Sequence, residues 1–261
     1  MTRSLALTIL GCGTSSGVPR IDGNWGKCNP DNPKNNRRRA SVLVTLDDVA
    51  VLVDTAPDLR MQILDAQVKR IDAVFFTHDH ADHCHGIDDL RGLYQHNRRM
   101  IPCYCNQMTY DILTRRFDYV FASKGSYPTI ATLDIITKPI TIGALTITPF
   151  VQIHGPVESL GFHFSTPGIN IAYSTDVTDF PFESLPNLRN LDLWVLDALR
   201  ERPHPTHLHL EASLEWIERM AAKKAILTHM NCDMDYDQMR TRLPKHVVPA
   251  YDGLRTEFPC P

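Results

Sequence analysis

The chain has 261 residues, 43% hydrophobic and 22% charged, with a formal net charge of −3. Those proportions exclude a disordered, collagenous or coiled-coil protein, and the charge excludes attachment to nucleic acid by bulk electrostatics. No apolar run approaches the roughly 20 residues that cross a bilayer, so no membrane association is expected. Met1–Gly13 is too short for a signal peptide, and seven scattered cysteines disfavour a disulfide scaffold, so a reducing, cytoplasmic setting is expected. Twelve histidines beside few aromatics point to a metal.

In chain order, Leu5–Leu10 reads as a first strand, and residues 13–39, rich in Gly, Pro, Asn and Arg, as a surface loop. Ser41–Leu46 and Ala50–Val53 read as strands joined by an Asp47-Asp48 turn. Pro57–Gln67 has helical spacing through Leu59, Ile63 and Ala66, and Ala73–Thr77 is a buried strand. Asn106–Phe121 carries Ile112, Leu113 and Phe117 at helical intervals. Strands follow at Leu145–Ile153, Leu160–Ser165 and Ile169–Ser174, the last two joined at Pro167-Gly168. The remainder alternates: strand Leu193–Leu196, helix Leu210–Ala222, strand Ala225–Thr228, helix Asp235–Leu243, and strands near Val247 and Leu254. Hairpins followed by strand–helix alternation predict packed sheets with helices outside, in a single domain spanning 1–261.

The strand Ala73–Thr77 runs directly into His78-Asp79-His80-Ala81-Asp82-His83. His78 and His80, two residues apart, can reach one cation while Asp82 and His83 turn toward another. Imidazoles with a few carboxylates suit zinc, manganese or iron rather than calcium or magnesium. Three further strand ends carry a lone ligand-type residue: His154, Asp176 and His229. Singly, each is more often a cap or a satisfied structural residue. Together they divide into His78, His80 and His154 on one metal, Asp82, His83 and His229 on a second, and Asp176 between them. Two divalent transition-metal ions per chain, zinc or manganese, are therefore expected.

The His-x-His-x-Asp-His run with the spaced His154, Asp176 and His229 resembles the metallo-β-lactamase fold. Leu10-Gly11-Cys12-Gly13-Thr14-Ser15-Ser16-Gly17-Val18-Pro19 and the Arg37–Ser41 stretch are similar to its ribonuclease Z and PhnP-like phosphodiesterase branch. The resemblance implies an α/β protein, an αββα four-layer sandwich of two mixed sheets flanked by helices, with both metals at one sheet edge. It also implies a histidine 22 residues before the last ligand, here His207, that assists the departing oxygen or braces charge on the phosphoryl group, and His207 and Asp82 form the expected catalytic set. His204 and His209 lie close enough to substitute for it. Asp79 is implied to orient a ligand histidine or the loop backbone.

The reading that follows is hydrolysis of a small phosphodiester, cyclic or nucleotide-like, by metal-activated hydroxide, with His207 as proton donor. Only 21 residues separate His154 from Asp176, too few for the tRNA-gripping arm of ribonuclease Z, so no stable nucleic-acid complex is expected. Arg37, Arg38, Arg39 and His204 are candidates to hold substrate phosphate, whereas Arg98-Arg99 and Arg115-Arg116 read as solvated helix faces. The branch's additional structural zinc is not expected, because only Cys28 and Cys232 stand where its ligands would be. Cys103-x-Cys105 is read as a strand pair pointing to opposite faces. A homodimer is compatible with the resemblance. The alternatives are a ribonuclease Z-type nuclease, a thioester or lactam hydrolase, and, least favoured because all seven ligands are intact, a non-enzymatic scaffold.

Overall fold

The computed structural model describes residues 3–123, 125 and 127–260. Strands β1 (Ser4–Gly11), β2 (Ser41–Leu46), β3 (Val49–Val53), β4 (Ala73–Phe75), β5 (Ile101–Cys105) and β6 (Ala131–Ile135) build one sheet. A second sheet holds β7 (Ile140–Ile142), β8 (Leu145–His154), β9 (Val157–Thr166), β10 (Ile169–Ser174), β11 (Leu193–Asp197), β12 (Ala225–Thr228) and β13 (Val247–Pro249). The last strand, β14 (Arg255–Pro259), returns to the first sheet beside β1. Helices α1 (Leu59–Asp65), α2 (Ala81–Cys84), α3 (Leu90–Asn97), α4 (Gln107–Arg116) and α5 (Asp118–Phe121) belong to the first half, α6 (Leu210–Met220) and α7 (Tyr236–Arg242) to the second.

The strand orders are β14-β1-β2-β3-β4-β5-β6 and β13-β12-β11-β10-β9-β8-β7. Both sheets follow one plan. β1 to β3 pair antiparallel and β3 to β6 parallel; β8 to β10 pair antiparallel and β10 to β13 parallel. Parallel strands covered on both faces read as continuous apolar runs, which is why β11 and β12 are buried along their whole length. Between the sheets, Phe75 meets Phe162 edge-on at 5.4 Å, in a core that also buries Trp194, Phe164 and Tyr173. The other face of the first sheet packs Leu52, Val74 and Cys103 against Leu59, Leu90 and Leu113 of its helices. Helix α6 buries Leu210, Ser213 and Ile217 on the second sheet. The result is the expected αββα sandwich of two mixed sheets.

Several elements differ from expectation. The helical stretch 106–121 divides into α4 and α5, with Phe117 out of helical conformation between them. As expected, the 21 residues between His154 and Asp176 are filled by β9 and β10, a bare hairpin. Cys103 and Cys105 do not point to opposite faces. Residues i and i+2 of a strand share a face, and both thiols are buried in the same cluster.

Asp252 ties the turn before β14 to the rest of the first sheet. Its Oδ1 accepts the backbone N–H of Cys12 at 3.1 Å, and its Oδ2 accepts that of Arg38 at 2.8 Å. Burial nevertheless pushes its carboxyl up to about 6. A folded value above the unfolded one means that the stabilising contribution is complete below about pH 4 and is lost as the pH rises through 6. The stability of Asp252→Asn relative to the parent should therefore improve by about 2 kcal/mol between pH 4 and pH 8, somewhat less than the full linkage value because the carboxyl keeps some solvent contact. Urea denaturation at the two pH values checks this, and a pH-independent difference would contradict the assignment.

Candidate metal centre

Open α/β sheets place their ligands beyond the carboxyl ends of the strands, and here those ends carry the polar residues. Asp54 follows β3, His78 lies three residues past β4, and His154 ends β8. Asp176 lies two residues past β10, Asp197 ends β11, and His229 follows β12. His80 caps α2, which contributes Asp82 and His83. Asp54, Asp176 and His229 have φ of 63°, 54° and 58°. Left-handed backbone costs a non-glycine residue about 1–2 kcal/mol and persists only where its surroundings enforce it. At Asp176 the enforcement is visible: Ser159 Oγ donates to its carbonyl at 2.7 Å, and Thr175 Oγ1 donates to its Oδ2 at 2.8 Å.

The seven residues singled out by sequence converge. His78, His80, His154 and Asp176 form one group of donor atoms and Asp82, His83, Asp176 and His229 another, with all atoms of each group within 4.8 Å of one another. Asp176 Oδ1 lies 3.7 Å from Nε2 of both His78 and His154, while Oδ2 lies 3.0 Å from His83 Nε2 and 3.5 Å from His229 Nε2. Asp82 Oδ2 is 3.3 Å from His83 Nε2 and 3.5 Å from His229 Nε2. Most of these separations exceed a hydrogen bond. They match the spacing of about 3.4 Å expected for atoms that share one tetrahedral cation at about 2.1 Å each. Among the described residues, Nε2 of His78, His83 and His229 is buried without a hydrogen-bond partner. The donor set fits divalent cations.

Three of the imidazoles are held from behind. His83 Nδ1 donates to Asp54 Oδ2 at 2.7 Å, His154 Nδ1 to the Thr206 carbonyl at 2.7 Å, and His78 Nδ1 to Thr77 Oγ1 at 3.0 Å. The Thr77 hydroxyl in turn donates to Asp54. A proton fixed on Nδ1 leaves the Nε2 lone pair facing the cluster. Burial, helped by neighbouring imidazoles, holds His78 well below the ordinary histidine range; burial and His207 lower His154 as well. Burial opposes ionisation of Asp176 and Asp82, yet His229 and His83 at the first and His83 at the second outweigh it and lower both carboxyls. Burial also opposes charge on His83, which Asp176, Asp82 and Asp54 nevertheless raise. A proton or a cation at its Nε2 satisfies the same carboxylates.

His207 stacks on His229 with ring centroids 4.9 Å apart, and its Nε2 lies 3.8 Å from Asp176 Oδ1. Its Nδ1 donates to Asp197 Oδ2 at 2.8 Å; against the burial that would lower it, that carboxylate lifts the imidazole to about 9. His204 sits 5.1 Å from the His207 ring, and its Nδ1 accepts the Thr206 N–H. His209 caps α6 instead.

The arginine cluster separates. Arg37 is 1% exposed and its guanidinium donates to the carbonyls of Asn231 and Met234, so it cannot hold a substrate phosphate as expected. Arg38 pairs with Asp65 at 2.7 Å on the outer side of the first sheet, away from the cluster. Only Arg39 lines a cavity that Asp82 also lines. Asp79 accepts from Arg116 through both its carbonyl, at 2.8 Å, and its carboxylate, so it braces the loop backbone, and among the described residues it bonds no histidine. Arg116 is an exposed position of α4, as expected, and also makes these contacts to Asp79. Sequence reasoning missed Asp54, Thr77, Asp197 and Thr206. Two of them, Asp54 and Asp197, stand at strand ends, the signal that found His154.

Residues 50–230 match the family model of the beta-lactamase superfamily domain, and the chain belongs to that superfamily. It falls in the PhnP-like branch: a diphosphatase of the PhnP family is 37% identical, with 99% of this chain and 98% of that one aligned at a TM-score of 0.89. Human tRNase Z, short form, shares the fold at 17% identity and a TM-score of 0.72, over 96% of this chain and 98% of that one. An octanoyltransferase of Porphyromonas gingivalis is 32% identical over 94% of this chain and 50% of its own length. The chain spans about half or less of the length of the curated relatives it matches. The metallo-β-lactamase fold implies use of a divalent metal.

Asp54→Asn keeps the shape of the side chain but withdraws the carboxylate behind His83. Affinity for a divalent cation, measured by chelator competition, should fall about 10–100-fold. An unchanged affinity would remove Asp54 from the support of the cluster.

Proposed function

We propose that the chain is a dinuclear metal-dependent hydrolase of small phosphodiesters. The observation that carries this reading is the division of Asp176, with one oxygen facing His78 and His154 and the other facing His83 and His229. In the proposal His78, His80 and His154 would hold one ion and Asp82, His83 and His229 the other, with Asp176 available to both groups. Zinc or manganese bound there would supply Lewis acidity and a hydroxide nucleophile near neutral pH. The chain's own residues do the rest. Asp197 fixes the His207 tautomer and supports its charged form, so that Nε2, which faces the cluster, can hand a proton to the departing oxygen. Thr206 aligns His154 and belongs to the same loop as His207, so the proton donor and one metal ligand are positioned together.

Size supports a small substrate. The pocket over the cluster, lined by Ser15, His80, Asp82, His154 and His207 among others, holds about 240 Å³. The hairpin β9–β10 that occupies the interval between His154 and Asp176 provides no arm with which to grip RNA. The relative named an octanoyltransferase is matched over only 50% of its own length, and burial pushes up the thiols of Cys12, Cys28, Cys84, Cys103 and Cys105.

His207→Ala should retain metal content and lose about 10²–10⁴ in turnover of bis(p-nitrophenyl) phosphate. Normal turnover in this variant would move the proton-donor role to His204 or His209. Failure of metal-loaded parent protein to hydrolyse this substrate, with turnover of a glutathione thioester or a chromogenic cephalosporin instead, would replace the phosphodiester reading.

A further inference from the structure

A second cavity, of about 500 Å³, opens beside the pocket over the cluster, and Asp82 and Ser15 line both. The two spaces therefore share a wall. The second one is built by the loop between Gly13 and Arg39 and is bounded by Arg20, Arg39 and the hydroxyl-bearing Ser15 and Ser16, with Ile21 and Pro57 on its apolar side. Phosphoester chemistry in the smaller pocket leaves these two guanidinium groups without a task.

Their settings differ in a useful way. Arg39 is fixed: its Nε pairs with Asp58 Oδ2 at 3.0 Å, and the same carboxylate oxygen accepts its backbone N–H at 2.9 Å. One edge of the fork is thus held by protein, and among the described residues the Nη groups form no hydrogen bond. Arg20 pairs with no carboxylate among the described residues, and its backbone closes a short turn through Arg20 N–H to Asn24 O at 3.0 Å and Gly23 N–H to Arg20 O at 2.8 Å. Asp22, the other acid on the rim, is already engaged with the backbone N–H of Asn24. A fork held on one edge loses little freedom on binding an anion, and a second guanidinium on an ordered turn adds charge without a competing partner.

We infer that this cavity is an anion subsite for the second phosphoryl group of a diphosphate-bearing substrate, with Arg20 and Arg39 as its recognition residues. The inference rests on the phosphoester-hydrolase reading, with one phosphoryl group over the His/Asp cluster and its neighbour, one bridging oxygen away, in the arginine cavity. The organic part of such a substrate then lies along Ile21, which is fully exposed, and Pro57.

Equilibrium binding of inorganic pyrophosphate and orthophosphate to the manganese-loaded protein tests it by calorimetry. Wild-type protein should prefer pyrophosphate by about tenfold or more, and Arg20→Ala should lose most of that preference while binding orthophosphate within about twofold of wild type. Arg39→Lys, which keeps charge but not the fork, should lose part of it. Equal binding of the two anions by wild type, or an unchanged preference in Arg20→Ala, overturns the subsite. Turnover of bis(p-nitrophenyl) phosphate by the same preparations judges the hydrolase reading separately: absent turnover with an Arg20-dependent pyrophosphate preference removes that reading and keeps the subsite.

Discussion

The two oxygens of one buried carboxylate, Asp176, face two different sets of imidazoles, and the arrangement around them would be prohibitive without a compensating charge. Five histidines, Asp82 and Asp176 are gathered where hydrogen bonds are mostly too long to satisfy them. Each uncompensated buried charge is worth several kcal/mol against folding. Rigid neighbours fix four of these groups in place: Ser159 and Thr175 hold Asp176, Thr206 holds His154, and Asp54 with Thr77 holds His83 and His78.

The shared plan of the two sheets explains why the support is reciprocal. Asp54 follows β3 and Asp176 follows β10, the strands at which each sheet changes from antiparallel to parallel pairing, and both residues adopt left-handed backbone. His83 lies between them, with Nδ1 2.7 Å from Asp54 and Nε2 3.0 Å from Asp176. The first sheet supplies the residue that aims the ring, and the second supplies the carboxylate it is aimed at. Separation of the sheets by even an ångström would break that alignment. The aromatic contact of Phe75 with Phe162 between the layers is therefore part of what keeps the site in register.

The doubly covered strands and the donor residues at their ends were legible from the chain because two-sided burial writes a continuous apolar run and a polar residue after it stands out. The short outer strands β6 and β7 carry no such signature; exposed positions such as Thr132 and Thr141 interrupt their apolar pattern. Asp54 and Asp197 have the same strand-end placement as His154 but read as ordinary turn aspartates, since what distinguishes them is the imidazole each meets from a distant segment. Arg37 shows the converse. A run of three arginines looks like a solvated surface, yet the backbone carbonyls of Asn231 and Met234 draw the first of them inside.

That buried arginine links the two halves of the proposed chemistry. The loop from Gly13 to Arg39 lies close against the segment after His229: Thr14 N–H donates to the Met230 carbonyl, Met230 N–H donates to the Cys12 carbonyl, and Arg37 reaches Asn231 and Met234. Gly11 permits the approach at the other end, because a Cβ there would stand 2.0 Å from the Arg39 carbonyl. His229 and the Arg20–Arg39 cavity are consequently carried on one braced unit. A shift of the loop that moved Arg39 would strain the hydrogen bonds that join the loop to the backbone next to His229.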